Sequence, residues 1–364
     1  MTRVVLVTGV SRYLGCRLAG RLAADPRIDR VIGVDASPPT RAELDLLGRT
    51  EFVRADIRNP LIAKVISQAG VDTVVHASLT ATPHRAGGRA PMKELNVIGT
   101  MQLLAACGKS ETVRRLVVKS TTAVYGAAAR DPAVFTEDMT ARALPSSGYA
   151  KDAVEVEGYV RGFSRRRPDV AVTTLRFANF VGPFIDTPLT RYFQLPVVPT
   201  ALGFDPRLQL VHEIDAIEVL RLAATSERPG TFNVAGDGVL LLSQAIRRAG
   251  KLAVGVPVPA VAMVGRAVRR GGVVDFSPEQ TQFLNFGRVV SNQRLKDEFG
   301  YLPSYDTEAA FDTLLTGRPV RRPISPELVV AAERRLARLL RLPAGRPAVL
   351  AESARPANRA ARHG

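Results

Sequence analysis

The chain has 364 residues, of which 46% are hydrophobic and 23% are charged. This balance supplies enough apolar side chains for a buried core, so it excludes a wholly disordered or fibrous protein and predicts one large or two modest domains. The 50 Lys and Arg residues outnumber the 34 Asp and Glu residues and give a net charge of +16, which raises the question of an anionic partner.

Two cysteines, Cys16 and Cys107, stand in apolar segments that we predict to be helical. Thiols in such places provide neither a disulfide framework nor a metal cluster, and they are typical of a reducing compartment. The first residues lead directly into an apolar strand without the pattern of a signal peptide. Because no apolar run reaches about 18 residues, we expect a cytoplasmic protein with no membrane-spanning segment.

Short β-branched strands alternate with amphipathic helices along the first half of the chain. The predicted strands are Val4–Val7, Val31–Val34, Phe52–Val53, Val71–Val75, Leu116–Val118 and Val170–Leu175. The predicted helices lie at about 15–24, 60–69, 91–107 and 148–165. Apolar strands separated by helices are typical of a Rossmann-type α/β fold with a doubly wound parallel sheet. Such sheets bind ligands at the carboxyl ends of their strands.

The first strand-to-helix turn, Thr8–Gly15, has a glycine near each end. Glycine allows a sharp turn and lets the helix N-terminus, with its unpaired N–H groups, approach a pyrophosphate. The second predicted strand ends at Asp35, 20 residues after Gly15, where a carboxylate can accept hydrogen bonds from a ribose. These features favour a dinucleotide site, although a tight turn and a capping acid also occur for structural reasons alone. The expected cofactor contacts here are Gly9, Arg12, Tyr13, Leu14, Gly15 and Asp35.

Further short motifs end the later strands or begin the next helix, and they follow one another in a fixed order. They are Ala55–Arg58, Val75–Ser78, Asn96–Thr100, Ser120–Gly126, Leu175–Pro183, Val211–Asp215, Gly230–Val234 and Phe299–Pro303. On these motifs, and on Tyr149 at the start of a helix, the chain resembles the extended short-chain dehydrogenase/reductase family. Its members are the NAD-dependent epimerases and dehydratases that act largely on nucleotide sugars. The resemblance covers about residues 3–315.

The resemblance implies NAD as the cofactor. It places further cofactor contacts at Asp56, Ile57, His76, Ala77, Ser78 and Asn96. The chain departs from the family at Arg12, where the family has a glycine that lets the backbone approach the diphosphate. Arginine can also pair with phosphate, including the 2′-phosphate of NADP, but Asp35 would repel that phosphate, so NAD is favoured. We interpret His76 and His212 as packed, hydrogen-bonded histidines, because the four histidines lack the spacing of a zinc site.

The resemblance also implies three catalytic groups: a tyrosine that acts as acid and base, a Ser or Thr that holds the same substrate hydroxyl, and a lysine four residues after the tyrosine. Tyr149 and Thr121 stand at the first two positions, and Ala153 stands at the third. The alanine is a departure, because a phenol with a pKa of about 10 needs a nearby cation to act as a base at neutral pH.

Two other lysines lie near these positions. Lys151 is two residues from Tyr149, which on a helix is a rotation of about 200° and places it nearly opposite. An alternative register aligns Lys151 with the family's lysine and puts Ser147 at the tyrosine position, but Glu157 keeps the family's spacing of eight residues from Tyr149. Lys119, on the fifth strand, can supply a cation from another direction, although a solvent-facing strand end is its ordinary interpretation.

The resemblance also bears on the substrate site and on the reaction, and it leaves two functions open. Arg176 and Asn179 match family positions near the substrate, or else they only tie the sixth strand to the substrate lobe. The family's 4,6-dehydratases carry Asp and Glu after the Thr, where this chain has Thr122 and Ala123. The leading hypothesis is therefore an NAD-dependent nucleotide-sugar epimerase or reductase. The alternative is a dinucleotide-binding regulatory or sensor protein that has lost turnover, and the two departures described above motivate it.

Three segments are predicted. Residues 1–180 form the NAD(P)-binding Rossmann domain, and two strands, Leu208–Val211 and Thr231–Val234, return to its sheet from about 205–235. Residues 181–317 form a smaller, discontinuous substrate-binding lobe, and residues 318–364 form a basic helix with a disordered extension. The last segment holds 11 Arg and 3 Glu and so carries half of the net charge. It has little aromatic material to stack on bases, so a docking helix is favoured over contact with nucleic acid or an anionic surface. The resemblance further implies a homodimer, formed through the helices predicted at 91–107 and 148–165.

Overall fold

The computed structural model of the protein describes residues 3–81, 88–142, 144–145, 147–257 and 278–317. The strands are β1 Val4–Thr8, β2 Arg30–Asp35, β3 Glu51–Arg54, β4 Thr73–His76, β5 Arg115–Thr121, β6 Ala171–Phe177, β7 Asn179–Val181, β8 Val197–Ala201, β9 Arg207–Leu208, β10 Leu210–His212, β11 Gly230–Val234, β12 Leu240–Leu241 and β13 Leu252–Val256. The α-helices are α1 Tyr13–Ala23, α2 Arg41–Leu47, α3 Leu61–Gln68, α4 Arg89–Lys93, α5 Gly99–Lys109, α6 Gly148–Arg166, α7 Pro188–Tyr192, α8 Glu213–Thr225, α9 Leu242–Arg248, α10 Pro278–Phe286, α11 Gln293–Asp297 and α12 Thr307–Gly317.

Seven parallel strands form the central sheet, in the spatial order β11, β6, β5, β4, β1, β2, β3. Every residue of β1 is buried, and β1 pairs with β2 on one side and with β4 on the other. The strand order therefore reverses beside β1, which is where such sheets bind ligands. Helix α1 packs against α2 and α8, whereas α5 packs against α3 and α6. This arrangement confirms the predicted doubly wound, Rossmann-type fold.

A second apolar cluster lies apart from the core of the central sheet. It is built by the part of the chain that follows β6, where Tyr192 and Phe193 pack with Phe311 of α12 and Leu240 of β12. Three two-stranded sheets belong to this part: β7 with β10, β8 with β13, and β9 with β12. The region predicted to hold the substrate therefore has a core of its own, stabilised by aromatic side chains.

The helix predicted at 91–107 is interrupted. A π-helical segment, Glu94–Ile98, separates α4 from α5, and such wide turns often occur at functional sites. Gly99 follows this segment, and a Cβ atom there would lie only 2.8 Å from the side chain of Ile57. The glycine thus lets α5 approach the loop after β3, with the buried Ile57 side chain beneath it. Apolar periodicity alone does not reveal this change of helical pitch.

Of the two strands expected to return to the central sheet, only β11 does so, and it pairs with β6. The other, expected at Leu208–Val211, is interrupted at Gln209, and its second part, β10, pairs with β7 instead. The buried side chain of Gln209 explains the interruption, because it donates to the carbonyl of Gly236 and accepts a hydrogen bond from the N–H of Val290.

The basic helix and extension predicted at 318–364 lie outside the described residues. Within the ranges that the structure describes, we find no helix with the length and apolar character that crossing a bilayer requires.

Candidate functional site

The turn between β1 and α1 is built around two glycines in close backbone contact. Gly9 has a φ of 79°, and a Cβ atom there would lie 2.9 Å from the Cα of Ser78. A Cβ on Gly15 would lie 2.2 Å from the carbonyl oxygen of Gly9. Among the described residues, no side chain caps the N-terminus of α1, so the N–H groups of Tyr13 and Leu14 are available to a phosphate oxygen.

Gly15→Ala is expected to lower the free energy of unfolding by about 1–3 kcal/mol, because its methyl group would overlap a backbone oxygen that cannot rotate away. Gly108→Ala on α5 is the matched control. Its new Cβ would meet only the side chain of Phe163, at 4.0 Å, so helix propensity should leave this variant as stable as the parent or more so. Chemical denaturation measures both, and equal stability of the two variants would contradict the close contact in the turn.

Two carboxylates follow β2 and β3. The carboxylate of Asp35 accepts hydrogen bonds from the backbone N–H groups of Ser11, at 3.1 Å, and Ser37, at 3.3 Å. These bonds hold the Asp35 carboxylate beside the glycine turn. Asp56 pairs instead with Arg58 at 2.6 Å, and this hydrogen bond holds the pKa of the Asp56 carboxyl below its usual value. In the structure, Asp35 therefore lies at the glycine turn, whereas the carboxylate of Asp56 is paired with Arg58.

The side chain of Tyr13 connects three parts of the molecule. Its hydroxyl donates to Glu213, at the start of α8, at 2.7 Å. The other oxygen of Glu213 accepts from the backbone N–H groups of Phe184, at 3.2 Å, and Ile185, at 2.7 Å. Burial and the Glu213 carboxylate raise the pKa of Tyr13. Its side chain thus joins α1 to α8 and to the loop after β7, which leaves its N–H as the group that can contact a cofactor.

Strand β4 ends in a buried polar cluster. His76 places Nδ1 3.0 Å from the hydroxyl of Thr8 and Nε2 2.8 Å from the hydroxyl of Thr100. The hydroxyl of Ser78 lies 3.3 Å from the same Nδ1, and the N–H of Ala77 donates to Thr8. Burial, assisted by two nearby cations, lowers the pKa of His76 to about 3, so the ring stays neutral. His76 is therefore a packed histidine that joins β1 to α5.

Thr121 and Tyr149 come together at the carboxyl end of β5. Tyr149 is the second residue of α6, and its phenol lies near enough to the Thr121 side chain for Thr121 to act on the pKa of Tyr149. Burial raises the pKa of Tyr149, the neighbouring Thr121 side chain opposes this effect, and the charge of Asp152 adds to it. Ala153, four residues after Tyr149, is wholly buried and carries no charge. The pair can hold a hydroxyl or carbonyl group of a ligand between phenol and alcohol.

The buried carboxylate of Asp152, three residues after Tyr149, was not predicted from the sequence. Arg89 donates to its two oxygens at 2.7 and 2.8 Å and also donates to the carbonyl that precedes Tyr149, at 2.7 Å. Asn96, an expected cofactor contact, donates to Asp152 at 3.2 Å and exchanges two hydrogen bonds with the backbone of Thr80. Asn96 therefore ties the π-helical segment to α6. In the sequence, the feature that could have identified Asp152 is an acidic residue on the buried face of the helix that carries Tyr149.

Lys119 does not face solvent, which corrects its ordinary interpretation as an exposed strand end. Only 8% of the residue is exposed, its Nζ donates to the carbonyl of Leu79 at 2.7 Å, and the Phe180 ring lies 5.9 Å from it. Burial, and then the charge of Arg12, lower the pKa of Lys119 to about 7. Arg12 itself donates to the carbonyl of Ser78 at 2.7 Å. Two cations thus converge on the segment that follows β4.

Arg176, one of the two residues expected near the substrate, lies in a buried network. Its guanidinium pairs with Glu157 of α6 at 2.7 Å and donates to the hydroxyl of Tyr125 at 2.7 Å. The hydroxyl of Ser120 also donates to Glu157, at 2.6 Å. These contacts favour the interpretation in which Arg176 ties strands to helices. Asn179, the other expected substrate residue, begins β7 beside β10 and is partly buried.

Arg288 reaches the site from a distant part of the chain and was not singled out in the sequence. Its Nε donates to the carbonyl of Gly126 at 2.6 Å, directly after the 3-10 turn Thr122–Tyr125. Burial lowers the pKa of Arg288 to about 10. Nothing in the sequence around Arg288 links it to Gly126, so only the fold reveals its place in the site.

Comparisons of the sequence with known proteins point to one family. The model of the NAD-dependent epimerase/dehydratase family matches residues 5–235. An uncharacterized protein of Mycobacterium tuberculosis is 51% identical over 333 residues, which are 92% of this chain and 89% of the relative. A UDP-glucose 4-epimerase of Yersinia enterocolitica is 27% identical over 184 residues, which are 49% of this chain and 54% of that enzyme.

Solved structures share the fold at low sequence identity. A dTDP-glucose 4,6-dehydratase from Bacillus anthracis in complex with NAD is 18% identical, with a TM-score of 0.67 over 87% of this chain and 96% of the other. A UDP-glucuronic acid 4-epimerase from Bacillus cereus, in complex with UDP-glucuronic acid and NAD, is also 18% identical. Its TM-score is 0.66 over 86% of this chain and 99% of the other.

Proposed function

Because the chain belongs to the NAD-dependent epimerase/dehydratase family, we propose that it is an NAD-dependent epimerase or reductase that acts on a nucleotide sugar. The observation that carries the proposal is the proximity of the Tyr149 phenol to the Thr121 side chain at the carboxyl end of β5. Relatives of named activity include a UDP-glucose 4-epimerase, and similar structures hold NAD together with UDP-glucuronic acid, which supports this cofactor and substrate class.

The glycine turn fits the diphosphate of NAD. A Cβ atom at Gly9 or Gly15 would collide with neighbouring backbone atoms and block this turn. The first N–H groups of α1 have no side-chain cap, and two backbone N–H groups hold Asp35 beside the turn. We assign Asp35 to the adenosine ribose. A carboxylate at this position would repel the 2′-phosphate of NADP, so NAD is the preferred dinucleotide.

In the proposed reaction, NAD supplies the hydride acceptor when it is bound. Tyr149 transfers a proton to or from a substrate oxygen, and Thr121 orients that oxygen by a hydrogen bond. In the free protein, burial and Asp152 keep the Tyr149 phenol protonated, so it is ready to donate. To accept a proton at neutral pH, the phenol needs a cation in the assembled site.

Asp35→Ala is expected to weaken NAD binding about tenfold, because hydrogen bonds to a charged partner contribute about 1.5–3 kcal/mol. Asp45→Ala, on the exposed surface of α2, is the matched control and should bind NAD like the parent protein. Isothermal titration with NAD measures both variants. Equal affinities for Asp35→Ala and the parent would show that the ribose contact has been placed on the wrong residue.

A second candidate function is a dinucleotide-binding sensor without turnover. One observation favours it: the position four residues after Tyr149 holds the buried, uncharged Ala153, and no cation is among the groups that shift the Tyr149 pKa within the described part of the chain. Such a protein would bind NAD tightly and would convert no nucleotide sugar, whereas the enzyme would do both. Turnover assays on a nucleotide-sugar panel therefore separate the two functions.

The proposed assembly is a cytoplasmic homodimer. Helices α5 and α6 pack against each other, and large apolar side chains on them and on the adjoining π-helical segment remain exposed. These are Ile98, Met101 and Tyr159, each between 37% and 41% exposed. Exposed apolar residues on neighbouring helices are typical of an interface with a second copy of the chain.

A further inference from the structure

The ammonium group of Lys119 is buried without a carboxylate partner. Its described contacts are the carbonyl of Leu79 and the ring of Phe180, and no acidic side chain forms an ion pair with it in the ranges that the structure describes. A buried charge of this kind costs several kcal/mol unless an opposite charge compensates it. Such groups therefore mark candidate binding sites for ligands of opposite charge.

Arg12 brings a second positive charge to the same place. The guanidinium of Arg12 donates to the carbonyl of Ser78, and Lys119 donates to the carbonyl of the next residue, each at 2.7 Å. The two cations repel each other strongly enough for Arg12 to depress the pKa of Lys119. An anion between them would remove this repulsion and would give the Lys119 ammonium group a full negative charge as partner in place of a carbonyl dipole.

The sheet order identifies which anion fits. Arg12 belongs to the glycine turn after β1, and Lys119 is on β5, which lies beyond β4 on the side of β1 opposite to β2. Asp35, at the end of β2, therefore lies on the other side of the turn from Lys119. A dinucleotide whose adenosine ribose binds Asp35 would extend from there across the turn toward β5, with its diphosphate beside the two cations.

We infer that Arg12 and Lys119 form an anion-binding pair for the diphosphate of the dinucleotide, with Lys119 contacting it on the nicotinamide side. The inference rests on the proposed function, because it takes NAD to be the ligand. It adds a contact from strand β5 to those that the glycine turn and Asp35 provide. With the diphosphate bound, the positive charge of Lys119 would be compensated by a phosphate oxygen. Lys119 is on the same strand and the same face of the sheet as Thr121, which lies two residues further on.

Lys119 gives the site a pH dependence that can be measured. Its pKa of about 7 in the free protein means that binding of phosphate must hold or restore its proton, so affinity is greatest below that pH and declines as the pH rises. Among the described residues, the two other titratable groups that interact with it, Arg12 and His76, do not titrate in this range. Arg12 stays charged, and His76, with a pKa near 3, stays neutral.

The experiment is to titrate the full chain with NAD across neutral pH. For the parent protein, the dissociation constant is expected to be about tenfold higher at a pH of about 8.5 than at about 6.5. Lys119→Met should weaken binding at the lower pH roughly tenfold or more and remove the pH dependence. Lys119→Arg should keep the affinity and also remove the pH dependence, because guanidinium stays protonated. Lys64→Met, on the exposed surface of α3, should behave like the parent.

Folding is checked separately by thermal unfolding without ligand. Lys119→Met should be at least as stable as the parent, since it replaces an uncompensated buried charge with an apolar side chain of similar length. NAD affinity in Lys119→Met equal to that of the parent, with the same pH dependence, would overturn the inference and leave the proposed function intact. If the parent protein failed to bind NAD, the proposed function would be overturned together with it. Equal weakening by the Met and Arg variants would show that charge is not what Lys119 contributes.

Discussion

Tyr149→Phe is expected to lower kcat by about 10²- to 10⁴-fold, because it removes the phenol that we propose transfers the proton beside Thr121. The phenyl ring keeps the packing of Tyr149 against the main core, so the fold should be unchanged. NAD affinity should also be unchanged, since the diphosphate and ribose contacts proposed above lie on other residues. The expected defect is thus confined to turnover.

Tyr159→Phe is the matched control for this prediction. Tyr159 is on the same helix, ten residues further along, and 40% of it is exposed to solvent. Loss of the Tyr159 hydroxyl should change neither kcat nor NAD affinity. If Tyr149→Phe retained turnover at the level of Tyr159→Phe, Tyr149 would not be the acid and base, and the alternative register through Ser147 would need testing.

Glu157→Gln is expected to lower the free energy of unfolding by about 3 kcal/mol, the largest stability effect among the changes considered. The carboxylate of Glu157 is 5% exposed, and it neutralises Arg176, whose side chain is 11% exposed. Burial alone would lower the pKa of Arg176, but the hydrogen bond and charge of Glu157 outweigh burial and raise it. Removing only the negative charge leaves a buried guanidinium uncompensated between β6 and α6.

An exposed ion pair provides the control for Glu157. Arg30 and Glu51 are also 2.7 Å apart, but about half of each side chain is exposed. Glu51→Gln should therefore cost no more than about 1 kcal/mol in the same denaturation experiment. Adding Arg176→Met to Glu157→Gln should recover part of the loss, because both charges are then absent. Equal costs for the two single variants would contradict the burial of the Arg176 network.

The sequence predicts the central sheet well because each of its strands is a short apolar run separated from the next by a helix. The sequence predicts other elements less well where contacts with distant residues override the local hydrophobic pattern. The π-helical segment before Gly99 depends on close packing against Ile57, and the break at Gln209 depends on hydrogen bonds to Gly236 and Val290. Such partners are distant in the chain, so no window of sequence contains them.

The same distinction applies to the candidate site. The meeting of Thr121 and Tyr149 follows from motif order, because both lie at the carboxyl edge of a parallel sheet. The burial of Lys119 does not follow, since a lysine near a strand end is usually solvated. In the fold, Leu79 from the segment after β4 and Phe180 of β7 contact the ammonium group.

Turnover in the presence of NAD tests the central claim most directly. The purified full chain would be incubated with NAD and a panel of UDP- and dTDP-linked sugars, and conversion would be followed by chromatography of the sugar nucleotides and by the absorbance of reduced nicotinamide. We predict that the parent protein converts at least one of these sugars and that Tyr149→Phe, at the same NAD occupancy, converts it about 10²- to 10⁴-fold more slowly. Tight NAD binding without conversion of any sugar would contradict the proposal and favour the sensor function.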